Sequence, residues 1–167
     1  MIKNILLIFA LSIFTITVTA QKSAITTFIL VRHAEKVVDG TKDPDLKPEG
    51  NERAARLSVM LNNTQVDAIY STNFKRTKNT VQPYALEKGL SVHTYEALQE
   101  AEIDKILKKH SGGTVLICGH SNTIPWIANL FIGKQEYGDF NDDDYGNILI
   151  VSVIEKGKLA KVTSLRY

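Results

Sequence analysis

Cysteine is nearly missing from this chain: Cys118 stands alone in 167 residues. A single thiol excludes an internal disulfide framework and any cysteine cage for zinc. Neither sign of charge dominates, with 20 Lys and Arg against 18 Asp and Glu and a net charge of +2. That balance excludes a broad nucleic-acid-binding surface, and Lys108, Lys109 and the other scattered basic residues form no stripe. Repeats, low-complexity stretches and linker-like segments are lacking too, so one domain is expected. Hydrophobic residues make up 44% and charged residues 23%, a globular balance that excludes a disordered tail, a coiled coil or a collagen-like fibre.

The long apolar run that does exist lies at the start. Lys3 precedes an apolar stretch from Ile5 to Val18, broken only by Ser12, Thr15 and Thr17, and Val18-Thr19-Ala20 supplies small residues before Gln21. This is the layout of a secretory signal, and the stretch is short for a span of about 30 Å of hydrocarbon. The expectation is a signal peptide over residues 1–20, a domain over residues 21–167, secreted or periplasmic localisation, and no stable membrane anchor after cleavage. Asn62-Asn63-Thr64 matches a glycosylation acceptor, a pattern too common to carry weight.

From Thr26 the pattern alternates. Thr26 to Arg32 reads as a buried strand, Pro48 to Asn62 as a helix, Val66 to Thr72 as a strand and Arg76 to Lys88 as a helix that Gly89 ends. Val92 to Tyr95 reads as a weak strand. Ile103, Ile106 and Leu107 mark a helix stopped by Gly112-Gly113, and Thr114 to Gly119 is a strong strand. Pro125 to Phe131 reads as a helix, with Trp126 and Phe131 expected in the core. Asn147 to Ile154 and Leu159 to Leu165 read as a hairpin turning at Lys156-Gly157-Lys158. Strands separated by helices predict an α/β three-layer sandwich: a mostly parallel sheet, helices on both faces and a C-terminal antiparallel hairpin.

In such sheets ligands bind beyond the carboxyl ends of the strands. The first strand ends in Arg32-His33-Ala34-Glu35, the second in Ser71-Thr72 with Arg76 shortly after, and the third in Gly119-His120-Ser121. Each of these side chains alone suits a solvated surface; together they place two imidazoles and two guanidiniums at neighbouring strand mouths. Two permanently charged, fork-shaped guanidiniums suit the oxygens of a phosphoryl group. A helix starting after His120, with Thr123 as a possible cap and Pro125 in its first turn, would add backbone N–H donors. One neutral histidine could attack phosphorus and the other, protonated, stabilise the oxygens. The cluster predicts phosphoryl transfer through a phosphohistidine.

These residues resemble a known family. Arg32-His33-Ala34-Glu35 is similar to the Arg-His-Gly-Glu signature of the histidine phosphatase superfamily, also called phosphoglycerate mutase-like. The likeness continues through Leu46, Gly50, Arg53 and Ala54, then Tyr70-Ser71-Thr72 with Arg76-Thr77 and Thr80, then Leu116 to Ser121, in the family's order and spacing. The resemblance implies that His33 is the phosphorylated nucleophile, that Arg32, Arg76 and His120 complete the phosphate pocket, and that no metal or other cofactor is required. Glu35, Ser71, Ser121 and Asn122 are the expected further substrate contacts. Ala34 departs from the usual glycine. Asp39 stands where the mutase branch carries asparagine, and a carboxylate there disfavours a phosphate. The compact chain is more similar to the small branch containing phosphohistidine-signal phosphatases, and to exported relatives with Arg-His-Ala-Glu and Gly-His-Ser-Asn-Thr-Ile-Pro. The resemblance thus implies a phosphomonoester or phosphoramidate hydrolase acting on a small phosphorylated partner.

Expelling an alkoxide needs a proton donor. Leu98-Gln99-Glu100 is similar to the segment that carries the acid in larger branches, with Glu35, Glu96 and Glu102 as rivals. Without an acid, good leaving groups are favoured. A serine hydrolase is disfavoured: Gly119-His120-Ser121-Asn122-Thr123 lacks the final glycine of a nucleophile elbow, and no histidine follows Ser121. A non-catalytic phosphate- or sugar-phosphate-binding module on the same pocket, and a His/carboxylate metal site, stay open as alternatives. Asp142-Asp143-Asp144 reads as a solvated turn, with bordering the site left open, and His93 and His110 as surface or helix-end residues.

Overall fold

The computed structural model describes residues 24–167; the expected signal segment, residues 1–20, lies outside the described residues. Six strands form one sheet in the order β3-β2-β4-β1-β5-β6. They are β1 (Thr26–Arg32), β2 (Ala68–Ser71), β3 (Val92–Thr94), β4 (Thr114–Gly119), β5 (Asn147–Glu155) and β6 (Leu159–Arg166). Four helices connect them: α1 (Pro48–Leu61), α2 (Lys75–Lys88), α3 (Glu100–Lys109) and α4 (Thr123–Ile132). The first four strands pair in parallel; β5 runs antiparallel to β1 and β6 antiparallel to β5. The sandwich and its hairpin are those expected from the pattern.

Strand alternation divides the core. Phe28 and Leu30 of β1 point to one face, where they meet Ile103 and Ile106 of α3 and Ile127 and Phe131 of α4. The Phe28 and Phe131 rings lie 4.4 Å apart between centroids. Ile29 and Val31 point to the other face, against Leu57 and Leu61 of α1 and Val81 and Tyr84 of α2. Because both faces are covered, β1 and β4 carry continuous apolar runs, Phe28–Val31 and Val115–Cys118, rather than alternating ones. Trp126 is only half-buried at the edge of this core.

Boundaries differ from the sequence reading where side chains of the neighbouring loop take over the backbone. α4 begins at Thr123, two residues before Pro125, and the Thr123 hydroxyl accepts the His120 N–H at 2.8 Å. β2 is trimmed to Ala68–Ser71, and just before it the Asp67 carboxylate accepts the Thr114 N–H at 2.7 Å. Among the described residues no helix is long and apolar enough to cross a membrane.

The register positions the site. Arg32 pairs with Gly119 and Ser71 with Cys118, so β1, β4 and β2 end level with one another. The His33 N–H then donates to the Gly119 carbonyl at 2.9 Å. His33 and His120 are therefore neighbours by construction, although 87 positions separate them in sequence.

Candidate active site

His33 is buried, at 4% exposure. Its Nδ1 donates to the Ala34 carbonyl at 2.8 Å. A carbonyl can only accept, so the proton sits on Nδ1 and Nε2 keeps its lone pair. The Ala34 N–H in turn donates to Thr80 Oγ1 at 2.9 Å, which anchors this backbone to α2. Burial drives the His33 pKa down to about 3; the Ala34 hydrogen bond opposes this, and His120, Arg32 and Arg76 add to it. The ring is thus neutral at neutral pH, with its Nε2 lone pair unprotonated.

His120 stands beside it with ring centroids 5.5 Å apart in an edge-to-face arrangement. Its Nε2 lies 3.0 Å from Thr72 Oγ1, and Thr72 is tied to Thr77 at 3.0 Å. Burial lowers its pKa to about 4, with Arg76 and Arg32 contributing. Both imidazoles are kept neutral first by burial and then by the positive charge around them, which a bound anion would relieve.

The guanidiniums frame this pair. Arg32 is buried, and three backbone carbonyls hold its terminal nitrogens: Asn141 at 2.6 Å and Asp144 at 2.9 Å on Nη1, Asp142 at 2.9 Å on Nη2. Its buried Nε–H and that of Arg76 have no hydrogen-bond partner among the described residues. Two orphaned cationic donors flanking two neutral imidazoles fit a tetrahedral oxyanion. Burial lowers the Arg76 pKa from its ordinary value, against the pull of Asp43 and Cys118.

The other expected contacts sort differently. Ser121 and Asn122 follow His120 at the entry to α4; Ser121 is half-buried and Asn122 is exposed. Ser71 is fully buried, and its hydroxyl donates to the Thr72 carbonyl at 2.9 Å, so it faces the protein rather than the mouth. Glu35 is held by Arg53, whose Nε and Nη2 donate to its carboxylate at 2.6 to 3.0 Å. Burial pushes the Glu35 pKa up, but the Arg53 hydrogen bonds outweigh it and hold it low. Glu35 is therefore a buttress rather than a substrate contact.

Glu100 is not brought to the cluster. Its carboxylate takes Lys156 Nζ at 2.7 Å. Lys156 follows β5, past the Val153 that pairs with Thr26, at the amino end of β1. Nine strand residues at about 3.3 Å each put that turn on the order of 25 Å from the site. Glu102 is tied to Lys105 at 2.7 Å, and Glu96 is exposed on the loop after β3. Among the described residues, no group of three or more His, Cys, Asp or Glu could hold a metal ion.

Two aromatic residues of the site escaped the sequence reading. The Tyr145 ring lies under the Arg32 guanidinium at 4.3 Å and 6.0 Å from the His33 ring. The Phe74 ring lies 4.2 Å from the Arg76 guanidinium and 5.2 Å from the His120 ring. The available signal for Tyr145 was topological. β5 is antiparallel to β1, so residues just before Asn147 must lie beside those just after Val31. The Asp142–Asp144 turn borders the site, and its carbonyls rather than its carboxylates make the contact with Arg32.

Residues 28–105 match the family model of the histidine phosphatase superfamily, branch 1. A 70-residue stretch is 40% identical to phosphoserine phosphatase 1 of Hydrogenobacter thermophilus; it covers 38% of this chain and 33% of that relative, so about a third of the relative's length is matched. The fold is similar to a mycobacterial glucosyl-3-phosphoglycerate phosphatase, with a TM-score of 0.67 at 14% identity over 85% of this chain and 99% of that one. It is also similar to the Entamoeba histolytica phosphoserine phosphatase bound to 3-phosphoglyceric acid, with a TM-score of 0.63 at 18% identity over 85% and 97%. A third likeness is to a protein histidine phosphatase complexed with tungstate, with a TM-score of 0.65 at 13% identity over 84% and 96%.

Proposed function

We propose that this chain, whose matches support a place in the histidine phosphatase superfamily, is an exported phosphatase that hydrolyses a small phosphomonoester or phosphoramidate through a phosphohistidine on His33. The observation that carries the reading is the pairing of a neutral, buried His33 with two unpartnered guanidinium Nε–H groups and a second imidazole 5.5 Å away. The phosphoserine phosphatase likeness supports the phosphomonoester class.

In the proposed reaction Arg32 and Arg76 bind the phosphoryl oxygens, and His33 Nε2 attacks phosphorus. The N–P bond forms as the ester P–O bond breaks, and the leaving oxygen takes a proton. A bound dianion reverses the electrostatic pressure on His120, which gains a proton and holds the equatorial oxygens. Water then attacks phosphorus, the N–P bond breaks, and inorganic phosphate leaves with His33 neutral again. Glu35 and Glu100 are both engaged elsewhere, so departure of the leaving group depends on its own acidity. Preference for phosphoramidates and aryl phosphates follows.

Hydrolysis of p-nitrophenyl phosphate in the presence of chelator, by wild type and His33→Ala, tests the reading. Wild type should turn over, the variant should lose activity by about a thousandfold or more, and acid-quenched enzyme should hold acid-labile phosphate. Full activity in His33→Ala overturns the mechanism. Tight phosphate binding without turnover points instead to a non-catalytic phosphate-binding module. Export over residues 1–20 is tested separately, by the mass of the protein recovered from the cell envelope or medium.

A further inference from the structure

Four rings stand in a row at the mouth. Tyr145 adjoins His33, His33 adjoins His120, and His120 adjoins Phe74, with centroid separations of 6.0, 5.5 and 5.2 Å. Each outer ring also lies against one of the two arginines. Both outer rings are only half-buried, so part of each stays open to solvent. They come from different elements: Phe74 precedes α2, and Tyr145 ends the turn that cages Arg32. An in-line attack from His33 sends the leaving group outward, away from the imidazole. The first surfaces that group meets beyond the arginines are aromatic at both ends of the row.

Some polar groups near the row are already engaged: Glu35 by Arg53, Ser71 by the Thr72 carbonyl, and the Asn141, Asp142 and Asp144 carbonyls by Arg32. Ser121 and Asn122 stay open to polar substituents, but the two half-open rings are the feature that a flat apolar substituent can use and a polyhydroxylated one cannot.

Resting on the phosphatase reading of the same pocket, we infer that the preferred substrates carry an aromatic ring on the phosphoryl group's substituent, packed against Phe74 or Tyr145 at the ends of the row. The phosphate supplies charge recognition and the ring pair supplies selectivity.

Calorimetric titration with two non-hydrolysable ligands, 2-phenylethylphosphonate and 2-cyclohexylethylphosphonate, tests this independently of turnover. The two share charge and chain length, and the cyclohexyl group is the more apolar, so simple hydrophobicity favours it. Wild type should bind the phenyl ligand about threefold to tenfold more tightly. Phe74→Leu and Tyr145→Leu should each move that ratio toward unity. Equal affinities in wild type, or a ratio untouched by both substitutions, overturns the inference while leaving the phosphatase reading standing. A phenyl preference without hydrolysis of the matching phosphate esters supports the ring slot and overturns catalysis.

Discussion

The neutrality of His33 has a stability consequence that can be worked out before any substrate is known. Its folded pKa of about 3 lies well below the ordinary 6.5. A histidine with a depressed folded pKa opposes folding as the pH falls, because the unfolded chain takes up a proton that the folded ring refuses. The loss begins near the unfolded pKa of 6.5 and continues down toward pH 3. Between about pH 7.5 and pH 5.5 it amounts to about 1.4 kcal/mol for this one residue, a value insensitive to the folded pKa as long as that stays below about 4.5. His120, lowered to about 4, acts in the same direction. The assay is urea denaturation of wild type and His33→Gln at both pH values, in buffer free of phosphate and sulfate, since a bound anion would stabilise the folded state and raise both pKa values. Glutamine cannot titrate, so the variant should lose about 1.4 kcal/mol less stability than wild type over this interval. Contributions from all other groups cancel in the double difference, apart from coupling to His120. A double difference of zero would mean that His33 titrates as it does in water and is not the desolvated neutral nucleophile described above.

Further expectations concern the residues around the cluster. Arg53→Lys keeps the charge but cannot fork onto Glu35 or reach the Tyr167 carbonyl at the same time; it should cost about 1–3 kcal/mol by denaturation, and a change near zero would show the buttress to be idle. Glu100→Gln should leave kcat/KM within about twofold and cost less than about 1 kcal/mol, as expected for an exposed pair with Lys156. A large fall in kcat would restore Glu100 as the acid. Gly50→Ala lies inside α1, where alanine is ordinarily the better helix former by about 1 kcal/mol. Here a Cβ would run into the backbone of Glu35, two residues from His33. The substitution should therefore destabilise by about 1–3 kcal/mol, and a stabilised variant would contradict the packing.

Legibility of the sequence followed the strength of the physical signal. β1 and β4 were readable because strands buried on both faces carry unbroken apolar runs, and the two histidines stand directly after their C-terminal residues. Knowing that strands of a parallel sheet open their carboxyl ends to one side was enough to place Arg32, His33 and His120 together. Arg76 followed as the first arginine after β2. Glu100 failed for a different reason. Its Leu98-Gln99-Glu100 context is a local pattern, whereas its position depends on where the chain goes between Tyr95 and α3. Leu98 takes a left-handed φ of 58° there, and the helix starts against the β5–β6 turn. No short-range rule encodes that partner.

Glu35 and Ser71 show the converse limit. Proximity in sequence to a nucleophile or a strand end was taken for proximity to substrate, but successive residues point in different directions. Glu35 turns to Arg53 of α1, and Ser71 turns its hydroxyl to its own chain. What distinguishes Arg32 and Arg76 is that each keeps a buried donor unspent. An unpaired buried N–H is costly unless something completes it, and in the proposed reaction the phosphoryl oxygens would complete both beside the pair of neutral imidazoles. The same reasoning identifies the contribution of the Asn141–Asp144 turn, which has no ligand-binding motif of its own. By occupying the terminal nitrogens of Arg32 with three carbonyls, it fixes the guanidinium plane and leaves Nε as the free donor. The turn thereby converts a flexible cation into an oriented one.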